Sequence, residues 1–197
     1  MSAAIRWNLV SVEDYLAGEL TSPTKHEYLG GVVYAMAGAR NLHNCIATNT
    51  LGAIGVRLRG TSCQPYNSDT KIRILDHGQT RCYYPDALVI CNSNSDEDSF
   101  QDEPVVIAEV LSNATRRIDE VEKKNSYLTI PSLSVYLLIE QDAPVVTVFR
   151  RAEHGFDREV FVGFDAIIPL TEIETELPLA EIYDGVVFTP EPSDEDA

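Results

Sequence analysis

Pro104–Leu111 reads PVVIAEVL, and Tyr84–Ala87, just before it, reads YPDA. The first stretch is a short apolar run with β-branched residues, a Pro before it and Ser-Asn after it, which is the pattern of a buried strand. One carboxylate, Glu109, lies inside that run, and a second, Asp86, heads another apolar strand, Ala87–Cys91. An ionised carboxylate in an apolar strand is costly unless a cation or a donor compensates it. Two acids at the same end of neighbouring strands make a site for a hard, oxygen-seeking metal such as magnesium. The structural alternative is that an arginine holds Glu109 in an ion pair. Buried carboxylates cluster at functional sites, which favours the metal reading.

Outward from these strands, the chain alternates helical and extended patterns. Ser11-Val-Glu-Asp14 is a capping-box start for a short helix running to about Leu20, broken by Thr21–Pro23. Glu27–Ala37 reads as a hairpin turning on Gly30-Gly31. Leu42–Arg59 is the longest helical pattern. Ser68–Leu75 alternates, with Thr70, Ile72 and Ile74 on one face and Asp69, Lys71 and Arg73 on the other. Asp76-His-Gly-Gln is a turn, and Asn92–Glu103 is a polar loop between the two carboxylate strands. Arg117–Ile130 is predicted helical, Val135–Ile139, Val145–Arg150 and Val160–Val162 are predicted strands, and Leu177–Tyr183 is a short terminal helix. This order predicts an α/β core with a mixed central sheet and helices on both faces. The expected organisation is a single domain over 1–188, followed by a disordered acidic tail at 189–197.

No apolar run approaches membrane-spanning length, and the N-terminus lacks the charged-then-apolar order of a signal peptide, so a cytoplasmic location is expected. The four cysteines show no C-x-x-C pairing, which argues against zinc and predicts reduced structural thiols. Net charge is −16, an unfavourable balance for binding nucleic acid. The acidity is concentrated, however. Arg40 to Lys124 holds ten Lys/Arg against twelve Asp/Glu, whereas Asp157 to Ala197 holds one against twelve. The segment carrying the two strand acids is therefore near neutral, and any DNA binding should be local and salt-sensitive.

An acid at one strand start, an acid in the next strand and then a lysine follow the logic of a metal-dependent nuclease. Several ordered pieces make that specific: K-H-E-Y-L at 25–29, V-Y-A-M-A-G at 33–38, R-N-x-H-N at 40–44, S-D-x-K-I-R at 68–73, Y-Y-P-D at 83–86, E-V-L-S at 109–112 and R-I-D…E-K…Y…I-P-S-L at 117–133. In these pieces the chain resembles the Uma-two family of restriction-endonuclease-like proteins, within the PD-(D/E)xK nuclease superfamily. The resemblance is close over about residues 11–151. It implies a restriction-endonuclease-like core and a magnesium- or manganese-dependent phosphodiesterase site. It carries Asp86 and Glu109 over as the metal-binding pair. The superfamily lysine, two residues beyond the second acid, is Leu111 here. The family's lysine comes from the following helix, and Lys123 matches it. Helical geometry puts Asp119, Lys123 and Tyr127 on one stripe, with Lys124 on the flank of the opposite one. If that opposite stripe faced the sheet, Lys124 would be the one to reach inward. A solvated lysine pairing with Asp119 or Glu120 is the bland alternative.

Glu27 matches a recurrent family acid, against the alternative of a solvated strand-start Glu. The acids the family pattern carries around the next turn are Gly30 and Val32 here. Asp69 is either a third metal-side acid or an ion-pair partner of Lys71 and Arg73. His43, in the first turn of the long helix, is either a phosphate contact or base, or a packed histidine. Arg40, Arg116 and Arg117 are candidate phosphate contacts. The expected activity is magnesium-dependent DNA cleavage by a homodimer, since cutting both strands suits a two-fold assembly. The rival is a nuclease-fold protein that has lost catalysis and serves as an interaction module, a reading that the replaced turn acids support.

Overall fold

A computed structural model describes residues 9–76, 78–112 and 116–188. The expected acidic tail lies outside these residues, as does His77 of the predicted turn. Helix α1 (Val12–Glu19) begins on Ser11, whose hydroxyl accepts from the Asp14 amide at 3.0 Å. Strands β1 (His26–Leu29) and β2 (Val32–Ala35) form the hairpin, closed by Gly30 and Gly31 at φ 56° and 101°. Such positive values at both turn positions suit glycine. Helix α2 (Asn41–Arg57) follows, then β3 (Gln64–Asn67), β4 (Lys71–Asp76), β5 (Gln79–Tyr83), β6 (Ala87–Ile90), β7 (Phe100–Gln101) and β8 (Pro104–Val110). A π-wound segment, Ile118–Lys123, runs into α3 (Lys124–Tyr127). The chain ends in β9 (Val135–Ile139), β10 (Val145–Ala152), β11 (Gly155–Val162), β12 (Ile167–Leu170), β13 (Thr175–Pro178) and α4 (Leu179–Ile182).

The architecture is mixed α/β. A central six-stranded sheet has the order β11-β10-β9-β8-β6-β3, with β8 and β9 parallel and the other neighbours antiparallel. The side chains of β8 alternate across it. Val106, Ala108 and Val110 pack with Ile46, Ile54, Leu179 and Ile182 of α2 and α4, and with Ile168 and Leu177 of the β12–β13 pair. Ile107 and Leu111 face the other way, onto Tyr127 and Ile130 and onto Ile72, Ile74 and Tyr83 of a second sheet, β2-β1-β5-β4-β7. Burying each such aliphatic side chain contributes about 1.5–3 kcal/mol, so two-sided burial fixes β8 and its neighbours. Glu109, between Ala108 and Val110, is thereby turned into the space between the sheets.

The central sheet carries α2 and α4 on one face and α3 on the other, as the sequence reading expects, and the five-stranded sheet packs on that second face as well. Its strand β7 falls in the stretch read as a polar loop, and β5 in the stretch after the turn. The segment 117–130 is a π-turn leading into a four-residue α-helix, not one regular helix. The cysteine expectation is corrected too. Cys63 and Cys91 are disulfide-bonded, and Cys45 and Cys82 are free. The antiparallel β3–β6 register pairs Gln64 with Ile90, which sets Cys63 and Cys91 opposite each other one residue further out. Their Cα atoms are 3.9 Å apart, a juxtaposition no sequence spacing announces. Lys71 shares the polar face of its strand with Asp69 and Arg73 in the sequence reading, yet it is buried, its amine donating to the Ser99 carbonyl at 2.8 Å. Strand β7 pairs in parallel with β4 and aligns Phe100 with Lys71, which covers it. Among the described residues no helix is long and apolar enough to cross a membrane.

Candidate active site

Three elements deliver charge to one buried point. Glu109 points inward from β8, Glu27 from β1, and the π-turn brings Asp119 and Lys123, four residues apart, to the same side. The Lys123 amine lies 3.1 Å from Glu27, 3.2 Å from Glu109 and 3.3 Å from Asp119. Tyr127, one further step along that stripe, donates its hydroxyl to Glu109 at 3.0 Å. Tyr136 on β9 donates to the Asp119 carbonyl at 3.1 Å and so holds the π-turn against the sheet. Asp86, heading β6, accepts from the Val110 amide at 2.8 Å. That bond ties it to the residue following Glu109. The first turn of α2 brings in His43, whose Nε2 is 3.1 Å from the same Asp86 oxygen.

The cluster is graded in depth. Glu109 and Asp119 are almost fully enclosed, at 3% side-chain exposure, whereas Glu27, His43 and Asp86 keep about 15%. The last three therefore mark its mouth. Burial drives the Glu109 carboxyl well above the usual range against the relief from Lys123, and the charges of Asp86, Asp119 and Glu27 add to the rise. Burial also raises Glu27 despite Lys123. Burial alone would lower the Lys123 ammonium, but Glu109, Glu27 and Asp119 hold it well above an ordinary lysine, so it stays charged. For His43, Asp86 overcomes burial and raises the imidazole, favouring imidazolium. The Tyr127 hydroxyl is pushed up by burial and by Glu109, so it remains a donor.

This donor set suits a hard divalent cation. Asp86, Glu109, Glu27 and Asp119 offer oxygen only, and three carboxylates around one ammonium leave an excess of buried negative charge. Among the described residues no three His, Cys, Asp or Glu side chains already form a cage for a metal ion, and the Lys123 amine stands among Glu27, Glu109 and Asp119. Asp86 is held instead by the Val110 amide and His43.

Asp86, Glu109, Lys123, Glu27 and His43 are thus brought together. Asp69 is not. It lies 71% exposed in an ion pair with Lys25 at 2.6 Å, and its role as a metal-side acid is withdrawn. Its expected partners are engaged elsewhere, Lys71 with Ser99 and Arg73 with Asp102. The residue that balances Glu109 is a lysine, not an arginine. Lys124 lies across the Phe149 ring at 4.9 Å, so the inward position belongs to Lys123. Arg116 is committed to Glu120 and Glu140. Arg40 and Arg117 are exposed. The sequence reading did not assign Asp119 or Tyr127 to the site. Their four-residue spacing on either side of Lys123 was the available signal.

Comparisons with known proteins bear on the family and the fold. A family model described as "Uma2: Putative restriction endonuclease" matches residues 12–180. "Uncharacterized protein slr1290" of Synechocystis sp. (strain ATCC 27184 / PCC 6803 / Kazusa) is 31% identical over 182 residues, covering 91% of this chain and 94% of that protein. "Uncharacterized protein sll1609" of the same organism is 30% identical over 136 residues, 68% of this chain and 76% of that protein. A crystal structure of "a putative nuclease belonging to DUF820" from Anabaena variabilis ATCC 29413 shares the fold. Its TM-score is 0.68 at 18% identity, covering 87% of this chain and 98% of that one.

Proposed function

The chain belongs to the Uma2 family of restriction-endonuclease-like proteins, and from that premise we propose that it is a magnesium- or manganese-dependent DNA endonuclease of the PD-(D/E)xK kind. The observation that carries the proposal is the buried meeting of Glu109, Glu27 and Asp119 on the Lys123 amine, with Asp86 tied to the next backbone amide. Asp86 and Glu109 would hold the ion. When bound, it would supply an acidified water and neutralise charge on the phosphate. Lys123, kept protonated by its carboxylates, would steady the negative charge that builds on the phosphate oxygens. Tyr127 would keep the Glu109 carboxylate oriented. His43, at the mouth and favoured as imidazolium, would meet the phosphate or give a proton to the leaving oxygen. Cutting both strands of a duplex would suit a two-fold pair of chains.

The test is nicking of supercoiled plasmid with magnesium or manganese. Cleavage should vanish in chelator and in Asp86→Ala, and should fall only modestly as salt rises, because few cations are free to meet phosphate. Cleavage that persists in Asp86→Ala, or a folded protein inert with either metal, would overturn the proposal.

A further inference from the structure

The mouth of the site has one wall that the chemistry above does not use. Strand β2 is the edge of its sheet among the described residues, and its four residues are all exposed. Register pairs Glu27 of β1 directly with Tyr34 of β2, so the two side chains stand next to each other on one sheet face. In such pairs the Cβ atoms are about 5 Å apart. Glu27 reaches the buried amine, while the Tyr34 side chain stays 52% exposed. Its backbone is held in the β1–β2 ladder, but among the described residues no side-chain hydrogen bond, ion pair or ring contact engages the Tyr34 ring. The chain then runs Met36-Ala-Gly-Ala-Arg40 into the helix turn that carries His43. From Val32 to Arg40 there is no acid, in a chain of net charge −16, and the stretch ends in an exposed arginine. The stretch that joins β1, with Glu27, to the helix turn of His43 is therefore free of acidic residues and carries one exposed aromatic ring without a side-chain partner.

Resting on the nuclease reading, we infer that Tyr34 is a specificity-determining residue which stacks an unpaired base beside the scissile phosphate, so that the preferred substrate is single-stranded or locally unpaired DNA. Bases inside a duplex are stacked on one another and offer no face to a lone exposed ring, whereas an unpaired base does. Stacking also suits a protein with few free cations, since it draws on the π-face of the base and not on phosphate charge. Small residues at 35 and 37–39 let the strand pass close to the backbone.

The experiment measures binding of a fluorescein-labelled single-stranded oligodeoxynucleotide, and of the same sequence as a blunt duplex, in calcium. It compares wild type, Tyr34→Ala and Tyr34→Phe. The single strand should bind at least about tenfold more tightly than the duplex. Tyr34→Ala should lose about tenfold on the single strand with unchanged circular dichroism, and Tyr34→Phe should keep wild-type affinity, because the ring and not the hydroxyl stacks. A single strand carrying 5-iododeoxyuridine should photo-crosslink to Tyr34. Equal affinity for both DNAs, or a Tyr34→Ala variant that binds like wild type, would overturn the inference while leaving the nuclease reading intact if duplex is bound and cut. A folded protein that binds neither DNA would overturn both. A dimer in sedimentation that falls apart in Tyr34→Ala would assign this face to a second copy of the chain instead.

Discussion

Lys123→Met is expected to abolish cleavage and weaken the fold together. The ammonium is the common partner of Glu27, Glu109 and Asp119. Its removal leaves three buried acids with no cation, and breaking a buried ion pair from one side costs about 3–5 kcal/mol. The cleavage rate should drop at least about a hundredfold, the scale for losing one charge-stabilising donor. The stability loss has a pH signature. The orphaned carboxyls escape the penalty by binding protons, so the deficit in melting temperature should be larger at pH 8 than at pH 5. Lys123→Arg, which keeps the charge, should recover most of the stability. A deficit that does not change with pH would mean that the acids are not sharing this amine.

Glu109→Gln should move activity and stability in opposite directions. Burial and the neighbouring acids hold this carboxyl well above the ordinary range. A carboxyl that titrates higher in the folded than in the unfolded chain, where its value is about 4.3, costs stability once the pH passes that unfolded value. The cost grows until the raised folded value is reached, so the folded protein bears it near neutrality. The amide removes it. The variant should melt at or above the wild-type temperature at pH 7, the advantage shrinking as the pH falls towards 4, while cleavage falls at least about a hundredfold. Such a trade is what a strained functional site predicts. A lower melting temperature at pH 7 would show that Glu109 is a structural partner of Lys123, with no excess of charge to relieve.

The strand acids were legible because an acid inside PVVIAEVL conflicts with its surroundings, and that conflict is local to the sequence. Helical spacing put Asp119, Lys123 and Tyr127 on one stripe, but which stripe faces inward was not legible from spacing and came from the family resemblance. The Gly30-Gly31 turn was fixed by backbone sterics. What stayed hidden depends on contacts between distant segments. Lys71 looks like one more residue of its strand's polar face until the two-residue β7 docks alongside it. Asp69 looks like a site acid until Lys25, far away in sequence, takes it up. The Cys63–Cys91 bond follows from which strands pair and in which register. Tyr34 reads as one more hydrophobic hairpin residue until the register sets it beside Glu27.

The central claim is that Asp86 and Glu109 together hold a divalent ion. Calorimetric titration of manganese into the wild-type protein, Asp86→Ala and Glu109→Gln tests it most directly. Each change removes an oxygen ligand from a hard cation, so wild type should bind with a saturating heat that either substitution abolishes or weakens at least about tenfold, with the fold intact. Binding that is identical in all three proteins, or absent from folded wild type, would contradict the account.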